Sequence, residues 1–270
     1  MKVVLTSHRV ENLSFIKKEF EKASIIILEE PKNDLFHDVI EGKLEIEEYV
    51  RRLDTPFPIY TKKLVEMLRN LKGKEILQVE PYLEEVEKLR TFNSGDERVR
   101  EMERKVNMAY IDYTESFLKS DFDEVVEKVI RFAQADAERF IMRDRMRADA
   151  IEPADNQVIE AGLMHRKLAE FLDAEVVNIP EMIAEKIGAK YLESPGNILT
   201  QAFINGEECD FNLLAARNLV FVTLLEKKEM TPDFEGDFPH FIHEQKLVRF
   251  VNKLDYEKCR KVFTKFWSHK

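Results

Sequence analysis

Cysteine is scarce in this chain: Cys209 and Cys259 are the whole complement in 270 residues. They lie far apart and outside any CxxC context, which excludes a zinc site built from cysteine alone. They read as buried or incidental thiols of a reducing compartment. Long apolar runs are lacking too. The longest, "NLLAARNLVFVTLL", is broken by Arg217 and Asn218 and predicts a buried helix rather than a membrane span. The opening "MKVVLTSHRV" passes from a strand to charge without the apolar stretch of a signal peptide, so a cytoplasmic protein that makes no membrane contact is expected. Positive charge is in deficit, with 42 Lys and Arg against 52 Asp and Glu and a net charge of −10. That balance excludes a general binder of nucleic acid or anionic lipid. Repeats and low-complexity segments are absent.

What is present is charge and periodicity. Charged residues make up 35% of the chain, with abundant Glu and Lys and little Gln, a composition resembling that of thermophile proteins. The length suffices for one large domain or two modest ones, either with a substantial core. "KVVLTS" is a short β-branched run followed by a helix in which Leu13, Ile16 and Phe20 share a face and Asn12 is placed to cap. "SIIIL" is apolar without alternation, as in a strand covered on both faces, and stops at Glu29-Glu30-Pro31. Helices are predicted from about Asp38 to Leu53 and from Tyr60 to Leu71, and "KEILQV" is a third strand closing in Glu80-Pro81. No strand is expected over about 82–150, where "VREMERKVNMAYIDYTESFL" and "FDEVVEKVIRFAQADAERFIMRDRMRADAI" predict two long charged helices. "NQVIEAG" and "AEVVNIP" are strands four and five, with Pro180 opening a helix. "SPGNILTQAFINGEECD" reads as a loop, and the rest is helical. Alternating strands and helices predict an α/β fold: a mostly parallel sheet flanked by helices, with a long helical insertion and a helical C-terminal extension. The expected organisation is one structural domain: a core over 1–195, carrying the insertion at about 82–150, and an extension over 196–270 packed on it.

In open α/β sheets the ligand site lies beyond the carboxyl ends of the strands. The residues there are His8, Glu29 and Glu30, Glu80, and Gly162 through His165. His165 falls at the first turn of a helix, whose dipole favours a neutral ring able to bind a metal or accept a proton. Gly162 would let the backbone turn sharply or approach a ligand closely, which makes it a candidate for cofactor binding. Glu29 and Glu30, being consecutive, cannot point the same way; one faces the crevice and the other is solvated or paired. Glu80 reads as paired or solvated, and His240 with His243, an HxxH pair, as structural.

Taken in order, these pieces resemble the TraB/Tiki/ChaN/erythromycin-esterase-like superfamily. Its late G-x-x-H motif is intact as "GLMH", Gly162 to His165, after an apolar strand. Its second strand, ending in Glu, matches "IIILEEP". Its helix motif is recognisable in "ERFIMRDRMRADAI", Glu138 to Ile151, with Arg139, Arg143 and Met146. The matches span about 1–173. The first motif departs: "LTSH" keeps His8 but has Leu5 where members carry Gly or Glu. The resemblance implies an α/β fold with its site at the strand ends, and a family that includes metal-dependent peptidases, ester-hydrolysing enzymes and haem-binding lipoproteins.

Two functions follow as expectations. In the first, a hydrolase of peptide or ester bonds, His8 and His165 with Glu29 or Glu30 bind one divalent metal (zinc, manganese or cobalt) or position one water. A remaining carboxylate acts as general base, and Arg139 or Arg143 stabilises developing negative charge. In the second, the same fold is a non-catalytic small-ligand-binding or regulatory protein, a role the Leu5 departure favours. The expected partner is a small-molecule or peptide substrate, and the long helices offer a surface for a homodimer.

Overall fold

The computed structural model describes residues 1–119 and 121–267. In chain order, β1 (Lys2–Thr6) leads through a 3-10 turn (Val10–Asn12) to α1 (Leu13–Lys22). Next come β2 (Ile25–Leu28), α2 (Asp34–Ile40), α3 (Ile46–Leu53), α4 (Pro58–Arg69) and β3 (Glu75–Gln78). The helices α5 (Pro81–Phe92), α6 (Glu97–Lys119) and α7 (Phe122–Ala150) precede β4 (Gln157–Gly162), α8 (Arg166–Phe171) and β5 (Glu175–Asn178). The chain continues through α9 (Ile179–Lys186), α10 (Pro195–Asn205), α11 (Phe211–Leu224), α12 (Pro239–Val251) and α13 (Tyr256–Trp267). No helix of the described residues is long and apolar enough to cross a membrane.

All strand pairs are parallel, and the order is β3-β2-β4-β1-β5. The α/β fold with a parallel sheet flanked by helices is therefore as the sequence predicts. Each strand ends within one residue of its expected end; for the buried strands β1, β2 and β4 the reason is that a parallel strand covered on both faces is a largely apolar run that stops where the chain leaves the sheet. The order places the ends of β1, β4 and β2 side by side, with Thr6 opposite Gly162 and Ile27 opposite Ile159.

Three local readings are corrected. "SPGNILTQAFIN" is helical: Ser194 accepts the Asn197 N–H as N-cap, Pro195 takes the first turn, and Gly206 ends α10 at φ 68°. The Pro and Gly that suggest a loop are helix boundaries. The stretch from Asp38 to Leu53 is two helices, divided by a turn in which Gly42 takes φ 77°. Asn12 makes no cap bond to α1; its amide turns back and donates to Thr6 Oγ1 (3.1 Å) and to the Ser7 carbonyl (3.0 Å). It thereby pins the turn that carries His8.

The chain forms two compact units. The first comprises 1–84, 143–190 and 227–241 and holds the sheet. One face of that sheet packs Val3, Leu5, Ile27, Ile159 and Ala161 against Leu168 and Ile151. The second unit comprises 85–142, 191–226 and 242–270. Helices expected as an insertion and helices expected as an extension share its core: Phe122, Val125 and Val129 of α7 pack with Leu219 and Val220 of α11, Val251 of α12 and Phe263 of α13. Ending the chain after Asp210 would strip α11 to α13 from this core. Each buried Leu, Val or Phe side chain contributes about 1.5–3 kcal/mol, so the truncated protein is expected to aggregate. Solubility and thermal melting check this, and a soluble fragment with one cooperative transition would contradict it.

Candidate functional site

The two glutamates that follow β2 diverge, as consecutive side chains leaving a strand do. Glu29 is the hub of a buried charge cluster. Its Oε1 meets His165 Nε2 and Arg143 Nη2, both at 2.8 Å, and its Oε2 accepts the Gly162 N–H. Glu30 turns the other way, to the amide of Gln78 at 2.8 Å. Arg143 and Arg147, one turn apart on α7, both reach Glu80 at the end of β3, through Oε2 at 3.3 and 3.5 Å. Arg147 also donates to the carbonyls of Val79 and Glu160, each at 3.0 Å, tying the ends of β3 and β4 together. Asp144 bonds His165 Nδ1 and accepts the Leu168 N–H at 3.0 Å, capping α8. Three carboxylates (Glu29, Glu80, Asp144) thus face three cations (Arg143, Arg147, His165). Glu80 and Arg147 are fully buried.

This arrangement fixes the charge on His165. Burial alone would lower its pKa, but the Glu29 and Asp144 carboxylates outweigh burial and push it up to about 9. The ring is an imidazolium at neutral pH, contrary to the neutral ring expected from the helix dipole: the dipole of a six-residue helix is small beside two carboxylates in contact. Burial works against the charge of Glu29 as well, yet His165 and the two arginines hold its carboxyl well below the usual range. Stability depends on pH as a result. A raised His pKa stabilises the fold in full below the unfolded value of about 6.5, and this is lost as pH rises through about 9. Thermal melting of the wild type should therefore fall between about pH 6.5 and 9.5, and His165→Gln should flatten that slope. Equal slopes would show that His165 is not held charged.

A second group of acids sits on the opposite side of β4. Glu160 alternates with Ile159 and Ala161 and so projects from the other face of the sheet. Its Oε2 accepts the Glu29 N–H at 3.1 Å, while Oε1 has no hydrogen-bond partner among the described residues. Burial raises its pKa, and the neighbouring Glu29 adds to the rise. Glu30 is raised in the same way, by burial first and by Glu160 and Glu29 after it. Tyr60, 2% exposed, feels both Glu160 and Glu30, and its hydroxyl is likewise without a hydrogen-bond partner among the described residues. Glu229, distant in sequence, caps α4 by accepting the Ile59 and Tyr60 N–H groups at 3.0 and 2.9 Å, which fixes Tyr60 in place. His8, exposed just past β1, lies with its ring 5.1 Å from that of Tyr60 and 5.3 Å from that of Phe57. A positive charge on His8 would lower both Glu30 and Glu160.

The predicted residues therefore fall into two groups: Glu29, Arg143, Gly162 and His165 in the charge cluster, His8 and Glu30 beside Glu160. Arg139 belongs to neither; it pairs with Asp136 and with Glu103 (3.8 Å) in the second unit. Gly162 supplies an N–H to Glu29 rather than an unusual backbone: its φ is not left-handed, and a Cβ there would meet Glu29 Oε2 and His165 Cδ2 at 3.4 Å. His240 accepts the Met230 N–H at 2.6 Å and His243 accepts the Glu226 N–H at 3.2 Å, each holding backbone. Sequence reasoning misses Asp144, Arg147 and Glu160. The signals are present: an acid inside the apolar strand "QVIEAG", and Arg143 and Arg147 at helical spacing in the motif helix.

The donor set around His165 does not suit a divalent cation. Both ring nitrogens are bonded to carboxylates, the ring is protonated, and two guanidinium groups adjoin Glu29. A metal ligand needs the neutral imidazole. Among the described residues, no three His, Cys, Asp or Glu side chains are grouped to hold a metal.

Fold and site together define a parallel α/β protein whose strand-end acids are divided between a neutralised cluster and a raised pair. No protein-family model matches the chain, and no solved structure does. It belongs to one family with an uncharacterized protein of Archaeoglobus fulgidus, which is 67% identical over 268 residues covering 99% of each chain.

Proposed function

We propose that this protein is a hydrolase of peptide or ester bonds that works by acid–base chemistry of its own side chains. The carrying observation is the division of the carboxyls: Glu29 is held ionised by Arg143, Arg147 and His165, whereas Glu160, bonded to the Glu29 N–H, is pushed up by burial. Neighbouring acids whose surroundings drive their pKa values apart are a hallmark of acid–base sites. In this reading His8 takes a proton from water as the water oxygen bonds to the substrate carbonyl carbon. Glu160, in its acid form, gives its proton to the leaving alkoxide or amine as the scissile bond breaks, and Glu30 keeps it protonated. The neutralised cluster is then scaffolding, and the ordered motifs shared with the TraB/Tiki/ChaN/erythromycin-esterase-like superfamily support the reaction class. The donor chemistry around His165 speaks against a zinc, manganese or cobalt ion there.

The experiment is turnover of chromogenic esters and of fluorogenic peptides by the wild type, Glu160→Gln and His8→Ala. The reading expects ester or peptide turnover that both variants lose while they melt like the wild type or higher. Absence of turnover across both panels would refute it. A second reading, a small-ligand-binding protein, is favoured by one observation: the Glu160 Oε1 and Tyr60 hydroxyl, both buried, lack a partner among the described residues and would bond a ligand's donors. Thermal stabilisation by ligands that are never turned over would support that reading instead.

A further inference from the structure

α6 uses one face inside the second unit and presents an apolar stripe on the other. Val99 and Val106 are buried, and Tyr113 stacks on Phe132 at 6.1 Å between ring centres. On the opposite side Met108, Ile111 and Leu118 are 58%, 51% and 86% exposed. At 100° per residue these three fall on one narrow stripe together with Arg104 and Glu115, both exposed and neither ion-paired among the described residues. The 4-3-4-3 spacing from 104 to 118 is that of the seam between paired helices.

We propose that two copies of this chain pair through α6, antiparallel, about a two-fold axis passing between Met108 and Ile111. The charge pattern selects this partner and this direction. Arg104 lies four residues before Met108 and Glu115 four after Ile111, so antiparallel pairing sets each Arg104 against the Glu115 of the other copy. Met108 then packs on Ile111 twice at the centre, and the interface is isologous. A parallel pair would set arginine on arginine and glutamate on glutamate, a repulsive arrangement. The contact spans few side chains compared with the roughly 20–30 residues a side of a standard interface, so association is concentration-dependent.

Sedimentation velocity over a micromolar concentration series tests this, with circular dichroism to confirm that each variant stays helical. The wild type should form dimers. Arg104→Glu or Glu115→Arg alone should weaken self-association by about tenfold or more, since the symmetry counts each lost pair twice. The combined Arg104→Glu/Glu115→Arg variant should regain it, and Ile111→Glu should abolish it. A wild type that stays monomeric, a dimer that survives Ile111→Glu, or a charge swap that fails to restore association would each overturn the proposal.

Discussion

Arg147→Met is expected to destabilise the protein by about 3–5 kcal/mol, the range for removing one partner from a buried ion pair. Arg147 has no exposed surface, and four groups depend on it: the Val79 and Glu160 carbonyls, the Glu80 carboxylate at 3.5 Å and the Glu29 carboxylate at 3.8 Å. Methionine fills much of the volume but leaves Glu80, itself fully buried, with Arg143 as its one cation among the described residues. The same logic predicts compensation. Glu80→Gln in the Arg147→Met background removes the stranded charge and should recover part of the loss, so the two effects will not add. Denaturant unfolding of the four proteins reads both. A loss below about 1 kcal/mol would mean that the cluster behaves like an exposed ion pair.

Glu160→Gln should have an opposite sign on stability and a large effect on turnover. General acid catalysis contributes about 10²–10⁴ in rate, so if the proposed hydrolase reading holds, turnover should fall by at least about a hundredfold. Stability should rise at neutral pH. A carboxyl whose folded pKa is raised contributes its stability below the unfolded value, and loses it as pH rises through the folded one. Glutamine escapes that loss. The variant should therefore match the wild type near about pH 4, the unfolded carboxyl value, and exceed it increasingly above that range. The groups facing Glu160 that titrate or carry charge are His8 of the turn after β1, Glu29 and Glu30 after β2, Tyr60 of α4 and Arg147 of α7.

The parallel sheet is legible in the sequence because "VVLT" and "IIIL" are apolar runs with no alternation, and a strand covered on both faces has that pattern. The divergence of Glu29 and Glu30 is legible for a related geometric reason, the alternation of side chains along a strand. The charge state of His165 is not. A helix N-terminus argues for a neutral ring, and nothing local says that Asp144, twenty-one residues earlier, returns to the ring. Asp144 and Arg147 in a run as charged as "RFIMRDRMRADA" look like a solvated face, and burial is a tertiary fact. Glu160 is different. A lone acid in a buried strand is costly unless satisfied, and that cost is a signal readable in "QVIEAG" itself. The Ser-Pro and Asn-Gly of "SPGNILTQAFING" look like breakers on their own, yet their separation is that of the two ends of a capped helix.

The central claim is that the strand-end carboxyls are divided, with the Glu29 carboxyl held below the ordinary range and that of Glu160 pushed above it. Carboxyl-carbon NMR titration, with Glu29→Gln and Glu160→Gln to assign the signals, measures it directly. The account predicts that Glu29 titrates well below 4.5 and Glu160 above it. Two glutamates titrating together near the ordinary value, or Glu160 below Glu29, would contradict it.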